Sequence, residues 1–192
     1  MKYLILLFMA ALSFTQSIAQ KPFSKKAHEK DVRNHQCIET TKYSAEERRT
    51  FYPFDTASSI RIVSFDNMDT SAVEHSLPMK NGEIDFSRIT EDRTLNRDQI
   101  DALTHILYNV TYRGEILTSE VLFCYNPRNA ILFYDSDAHL LEFIELCFEC
   151  LGERSSSETI SIGDLCNQKY DLLKNFFLKA GIEIGTIREV RK

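Results

Sequence analysis

The spacing of apolar side chains changes character several times along the chain. Ile60, Ile62, Val63 and Phe65 form a largely β-branched run between polar residues, which predicts a strand over 60–65. Lys80-Asn81-Gly82-Glu83 holds the Asn-Gly pair favoured in tight hairpins. Ile84 and Phe86 then alternate with Asp85 and Ser87, predicting a short strand after the turn. From Asn96 the period lengthens. Ile100, Leu103, Leu107 and Val110 recur at helical spacing, with Asn96 as cap and Gln99 at the capping-box position, predicting an amphipathic helix over 97–109. Three consecutive strands are expected at 121–124, 130–134 and 140–148, arranged as an antiparallel meander. Ser161 with Asp164 at box spacing, then Leu165, Leu172, Leu173, Phe176, Phe177 and Ala180, predicts a last helix over 164–180 that stops at Gly181. Residues 182–190 would add an edge strand.

These elements specify an α+β fold: an antiparallel β-meander sheet with two principal helices packed on it. Residues 20–50 read as a flexible polar N-terminal segment, with a short helix near 45–50, and 51–192 as a single α+β domain. The central hairpin is apolar on both faces. A regular three-residue loop places Ile131, Phe133, Leu141 and Phe143 on one face and Ala130, Leu132, Ile144 and Leu146 on the other. Helices would cover one face, and another layer, strand or partner the other.

The N-terminus adds a location. Lys2 precedes an apolar run over 4–14, and Ser17-Ile18-Ala19 offers the small residues of a cleavage site, so 1–19 read as a signal peptide and the product as exported, periplasmic or extracellular. Cleavage would leave 173 residues with 22 basic and 28 acidic side chains, a net charge of −6 against −5 for the whole chain. Such an unclustered acidic balance argues against nucleic acid as partner. No other apolar run reaches the ~18 residues that a membrane span requires.

The block Cys124-Tyr125-Asn126-Pro127-Arg128-Asn129, running on to Ile144-Glu145-Leu146-Cys147-Phe148-Glu149-Cys150, resembles a set of small exported bacterial proteins of unknown function. They share a C-x-x-P-R-[HN] turn and a following [IL]-C-F-x-C strand. The similarity runs over about residues 51–181; it implies an envelope or secreted location and carries no activity to transfer.

Five cysteines follow the cleavage point: Cys37, Cys124, Cys147, Cys150 and Cys166. In an oxidising compartment disulfides are the default. With Asp135 opposite His139, opposed residue numbers sum to 274; Ile131 meets Phe143 and Cys124 meets Cys150, at a separation a disulfide can use. Such a bridge contributes about 3 kcal/mol by the chain-entropy estimate. Pro127 can bulge the ladder, which makes Cys124–Cys147 the competing pair. Cys37 is left to pair with another molecule or with Cys166. An extended strand sends Cys147 and Cys150 to opposite faces. If the segment turned instead, Cys124, Cys147, Cys150 and Cys166 would number the four ligands of a structural zinc site. A thiol-redox centre is the related alternative, although Glu145 and Glu149 nearby would discourage a thiolate.

No nucleophile elbow, phosphate-binding glycine loop or dinucleotide fingerprint is present, and the histidines are scattered. Asn109-Val110-Thr111 matches a glycosylation sequon at a helix end. The donor-rich loop Asn126, Arg128 and Asn129 is the candidate binding site, suited to a small anionic ligand. Alternatively Arg128 folds back on Glu149 or Glu145. The resulting expectation is an exported, noncatalytic binding domain stapled by disulfides, with an envelope protein or small anion as partner and no cofactor; a zinc-binding or thiol-redox protein is the alternative.

Overall fold

Ser24 starts the described chain by accepting a hydrogen bond from the backbone N–H of Ala27, which caps helix α1 (Lys25–Asn34). This computed structural model describes residues 24–66, 76–118 and 124–187; the expected signal peptide and residues 121–123 of the first expected meander strand lie outside them. After α1 come β1 (Cys37–Glu39), α2 (Ala45–Arg49), β2 (Ser59–Phe65), β3 (Met79–Lys80), β4 (Glu83–Ile84), β5 (Ile89–Thr94), α3 (Arg97–Asn109) and β6 (Val110–Tyr112). The chain continues with β7 (Asn129–Tyr134), β8 (Leu140–Cys147), β9 (Gly152–Ser155) and α4 (Lys169–Lys179). The main sheet is five-stranded and antiparallel, in the order β5-β2-β7-β8-β9, so the fold is α+β.

The expected helix over 97–109 forms with both halves of its capping box in place. The Asn81-Gly82 turn also forms, with φ of 55° and 84° at its two central residues. α4 begins later than the expected 164, behind Gln168, whose side chain makes no capping bond; Ser161 and Asp164 instead belong to the preceding loop. Gly181, at φ 92°, ends the helical run in the left-handed conformation.

The hairpin register differs from expectation by one residue. Tyr134 opposes Leu140, but Phe133 opposes Glu142 and Ile131 opposes Ile144, so Leu141 is the extra residue of a bulge. A slip of one reverses the faces of the distal half of β8. Ile144 and Leu146 therefore join Ile60, Ile62, Ile131 and Phe133 beneath Leu103 and Leu107 of α3 and Leu173 and Phe177 of α4. Phe143 lies on the opposite face with Val63, Phe65, Ala130 and Leu132, which Leu77 and Ile84 cover. The second layer anticipated from the two-faced hairpin is thus the small β3–β4 hairpin and its approach.

β8 ends at Cys147, and Phe148-Glu149-Cys150-Leu151 turn into β9, with Cys147 opposite Gly152. The meander therefore occupies 129–155, and Cys147 and Cys150 are not alternate positions of one strand. Of the expected edge strand only a single bridging residue, Ile184, forms, followed by a turn over 185–187, and 188–190 lie outside the described residues.

Residues 24–50 are folded rather than a separate lead-in. β1 pairs with β6, Arg48 is buried, and Cys37 is bonded to Cys166 across 129 residues. Lys25, Lys26, Glu29, Lys30 and Arg33 stay exposed, but other polar groups of this stretch are taken up by specific contacts. Asp31, with 1% of its surface exposed, accepts the Leu117 N–H at 2.8 Å and the Thr118 hydroxyl.

Candidate functional site

The loop singled out by its chemistry is turned inward. Arg128 Nη2 reaches both Glu149 carboxylate oxygens at 3.1 Å. Asn129 is buried and donates from Nδ2 to the Ile184 carbonyl at 3.0 Å. Asn126 lines the same small cleft, and its Oδ1 is buried with no hydrogen-bond partner among the described residues. The cleft encloses about 10 Å³, which is room for a single water at most. Beside it Cys124 is bonded to Cys150, with Cα atoms 5.6 Å apart. Glu145, the other carboxylate considered for Arg128, accepts instead from Arg154 Nε at 2.9 Å, the Tyr125 hydroxyl at 2.9 Å and the Leu77 N–H at 2.5 Å.

The sulfurs considered as a zinc set are divided. Cys166 is bonded to Cys37 and Cys124 to Cys150, leaving Cys147 as a buried thiol that accepts the Cys150 N–H at 3.3 Å. Among the described residues, Asp135, Asp137 and His139 bring potential ligand atoms within 4.8 Å of one another at the β7–β8 turn. The Asp135 carboxylate is already used there, accepting the backbone N–H groups of Asp137 and His139, which hold its pKa low and close the hairpin.

A larger cavity, of about 540 Å³, opens where four segments meet. Residues after β1 supply Thr40, Lys42 and Tyr43; residues after α2 supply Thr50, Phe51 and Tyr52. The C-terminal end of α3 and β6 supply Tyr108, Val110 and Thr111, and the loop before α4 supplies Thr159, Ser161, Gly163 and Asp164. Its size lies within the range of small-molecule sites. A second space of about 440 Å³ lies between α1 and the start of α4, bordered by His35, Tyr112 and Tyr170.

Buried polar groups hold the walls of the larger cavity. Asn109 treats Tyr43 as a strand partner: its Oδ1 accepts the Tyr43 N–H at 3.0 Å and its Nδ2 donates to the Tyr43 carbonyl at 2.8 Å. Arg48 donates to the same carbonyl at 2.9 Å, and also to Thr104 and the Asp101 carbonyl on α3. With its amide so engaged, Asn109 is no free glycosylation acceptor. Opposite, Tyr52 donates to Glu142 at 2.6 Å, and Ser156 and Ser157 donate to the same carboxylate. Burial alone would raise the Glu142 pKa, but these three hydroxyl donors hold it below the usual carboxylate range. The Tyr52 phenol is in turn pushed up to about 12, chiefly by that hydrogen bond and then by burial.

An edge-to-face series of rings ties the cavity to the core. Tyr43 meets Phe51 at 4.9 Å between centroids, Phe51 meets Tyr108 at 4.8 Å, and Phe54 links Tyr108 to Phe133. The Tyr108 hydroxyl is buried without a hydrogen-bond partner among the described residues, and burial drives its pKa upward. Gly163 completes one side at φ 66°; a Cβ there would stand 2.2 Å from the Leu107 carbonyl oxygen, so only glycine lets the loop approach α3 so closely.

Two charged groups sit at the rim. Lys42 Nζ lies 4.8 Å from the Tyr43 ring centroid, and a hydrogen bond with Tyr43 raises the lysine pKa. Asp164 accepts from the Thr111 hydroxyl. Sequence reasoning missed this site because its members are individually ordinary and lie in four separate segments. The Ser44–Glu47 capping box and the clustered aromatics Tyr43, Phe51, Tyr52 and Phe54 were the available signal. No protein-family model, curated protein or solved structure matches the chain.

Proposed function

We propose that this chain is an exported, disulfide-stabilised binding domain without catalytic function, and that its ligand occupies the cavity between Tyr43, Tyr108 and Asp164. The supporting observation is the wall itself. Asn109 and Arg48 fix the Tyr43 backbone, so the aromatic surface is organised before any ligand arrives, which lowers the ordering cost of binding. The cavity is favoured over the Arg128 loop because that loop spends its principal donors on Glu149 and Ile184 and leaves a cleft of about 10 Å³. Export rests on the leader-like pattern of residues 1–19, and the two cysteine pairs are compatible with an oxidising destination.

Thermal denaturation of the mature chain, residues 20–192, against a library of small polar and aromatic compounds tests this reading. The control is Thr159→Trp, which places an indole at an exposed position of the rim. A ligand of this cavity raises the midpoint of the parent chain and not of the variant; saturation at 100 times Kd corresponds to about 2.7 kcal/mol. No compound raising the parent midpoint, or equal rises in both proteins, would refute the assignment.

A further inference from the structure

Eight residues lining the cavity carry a hydroxyl group, and four of these have already given away their single proton. Thr40 donates to the Asn109 carbonyl at 3.0 Å and Thr50 to the Glu47 carbonyl at 2.8 Å. Tyr52 donates to Glu142, and Thr111 to Asp164. What these oxygens retain is lone pairs. The Asp164 carboxylate adds acceptor capacity, so the polar lining is rich in acceptors. It is interleaved with the rings of Tyr43, Phe51 and Tyr52, which offer apolar surface.

A complementary ligand must therefore supply several O–H or N–H donors and at least one apolar face. Anions meet the first requirement poorly: carboxylates bring only acceptors, phosphate brings one or two P–OH donors among its acceptors, and either would confront Asp164. Organic cations satisfy it, but the protein's own Lys42 ammonium already lies over the Tyr43 ring. With one lysine and one aspartate at the rim, the charge favours a neutral molecule. A pyranose ring combines the two remaining properties: hydroxyl groups around its edge and C–H bonds on its faces.

From this arrangement we infer that the cavity binds a neutral saccharide, with sugar hydroxyls donating to the Thr40, Thr50 and Asp164 oxygens and a sugar face packed on the Tyr43–Phe51–Tyr52 surface. The inference rests on the reading of this cavity as the ligand site. Its volume of about 540 Å³ gives room for more than one pyranose ring.

The test is calorimetric titration of the mature chain with cellobiose, maltose and N,N′-diacetylchitobiose, their tetrasaccharides, and an insoluble polymer of each linkage. Benzylammonium, glycine and inorganic phosphate serve as probes of the competing chemistries. Tyr43→Ala and Asp164→Asn are titrated beside the parent, each first checked for an unchanged far-ultraviolet spectrum and a cooperative melt. Asp164 is exposed, so its variant provides a readout even if Tyr43→Ala unfolds. At least one sugar should bind, with affinity falling about tenfold or more in Tyr43→Ala and measurably in Asp164→Asn. Binding already complete with a disaccharide assigns a free sugar, whereas binding gained only with tetrasaccharide or polymer assigns a glycan chain; either supports the inference. If no sugar binds but one of the other probes does, with loss in Tyr43→Ala, the ligand class is overturned and the cavity reading survives. Silence from every sugar and probe, together with no hit in the thermal library, overturns both.

Discussion

Lys169 carries an ammonium with none of its surface exposed, and its partners are two backbone carbonyls, Leu107 O at 2.8 Å and Ile162 O at 3.5 Å. It thereby ties the end of α3 to the loop that borders the cavity. Removal from water pushes its pKa down to about 8, with the Asp164 charge opposing the shift. In the unfolded chain the same group keeps its proton to near 10.5, so between about pH 8 and 10 the unfolded state binds more protons and stability rises with pH. Above about 10 the buried tyrosines, protonated in the fold but ionising when unfolded, reverse the trend. Denaturant midpoints at pH 7.5 and 9.5 should therefore increase for the parent and lose that increment in Lys169→Met; equal increments in both would contradict the assignment. Arg128, Asn129 and Asp31 show the same economy in polar form. That Arg128 would fold back on Glu149 was one of the two readings its residue type allowed, whereas the arrival of Ile184 and Leu117 to engage Asn129 and Asp31 was not legible, since each comes from a distant segment.

At the scale of elements, legibility followed the strength of local signals. α3 announces itself through Asn96, Gln99 and a clean apolar period, and it forms as expected. β5 does not, because Ile89 is its only apolar side chain; pairing with β2 and the Arg61–Asp92 ion pair place it. The start of α4 was misplaced because a plausible cap at Ser161 lies in a loop that Gly163 bends against α3. In the β7–β8 hairpin a single extra residue, Leu141, transferred Ile144 and Leu146 to the helix-covered face. The Cys124–Cys150 bridge survives that slip because Cys150 reaches Cys124 from the turn after β8 rather than from the ladder. It spans 26 residues, and Cys124→Ser should lower stability by about 2–5 kcal/mol in denaturant titrations under oxidising conditions. An unchanged midpoint would mean that the bridge constrains little.

The whole molecule is held by two bridges of different reach. Cys124–Cys150 staples neighbouring turns, whereas Cys37–Cys166 joins the N-terminal segment to the chain just before α4. Thiol titration of the oxidised protein, residues 20–192, should accordingly find one reactive group after denaturation, Cys147, and almost none before, because that sulfur is buried. Three or five thiols on the denatured chain would exclude this connectivity. By itself, the sequence determined what short-range physics can determine: the α+β class, the capped helix α3, the Asn81-Gly82 turn, and a central hairpin apolar on both sides. Those features depend on residues within a turn or two of one another. Tertiary structure decided the hairpin register, the folding of residues 24–50 onto the domain, the pairing of Cys37 with Cys166, and the cavity. Each of these depends on which buried polar groups and ring faces find partners at long sequence separation, and a linear pattern of residue types carries no distance information on that scale.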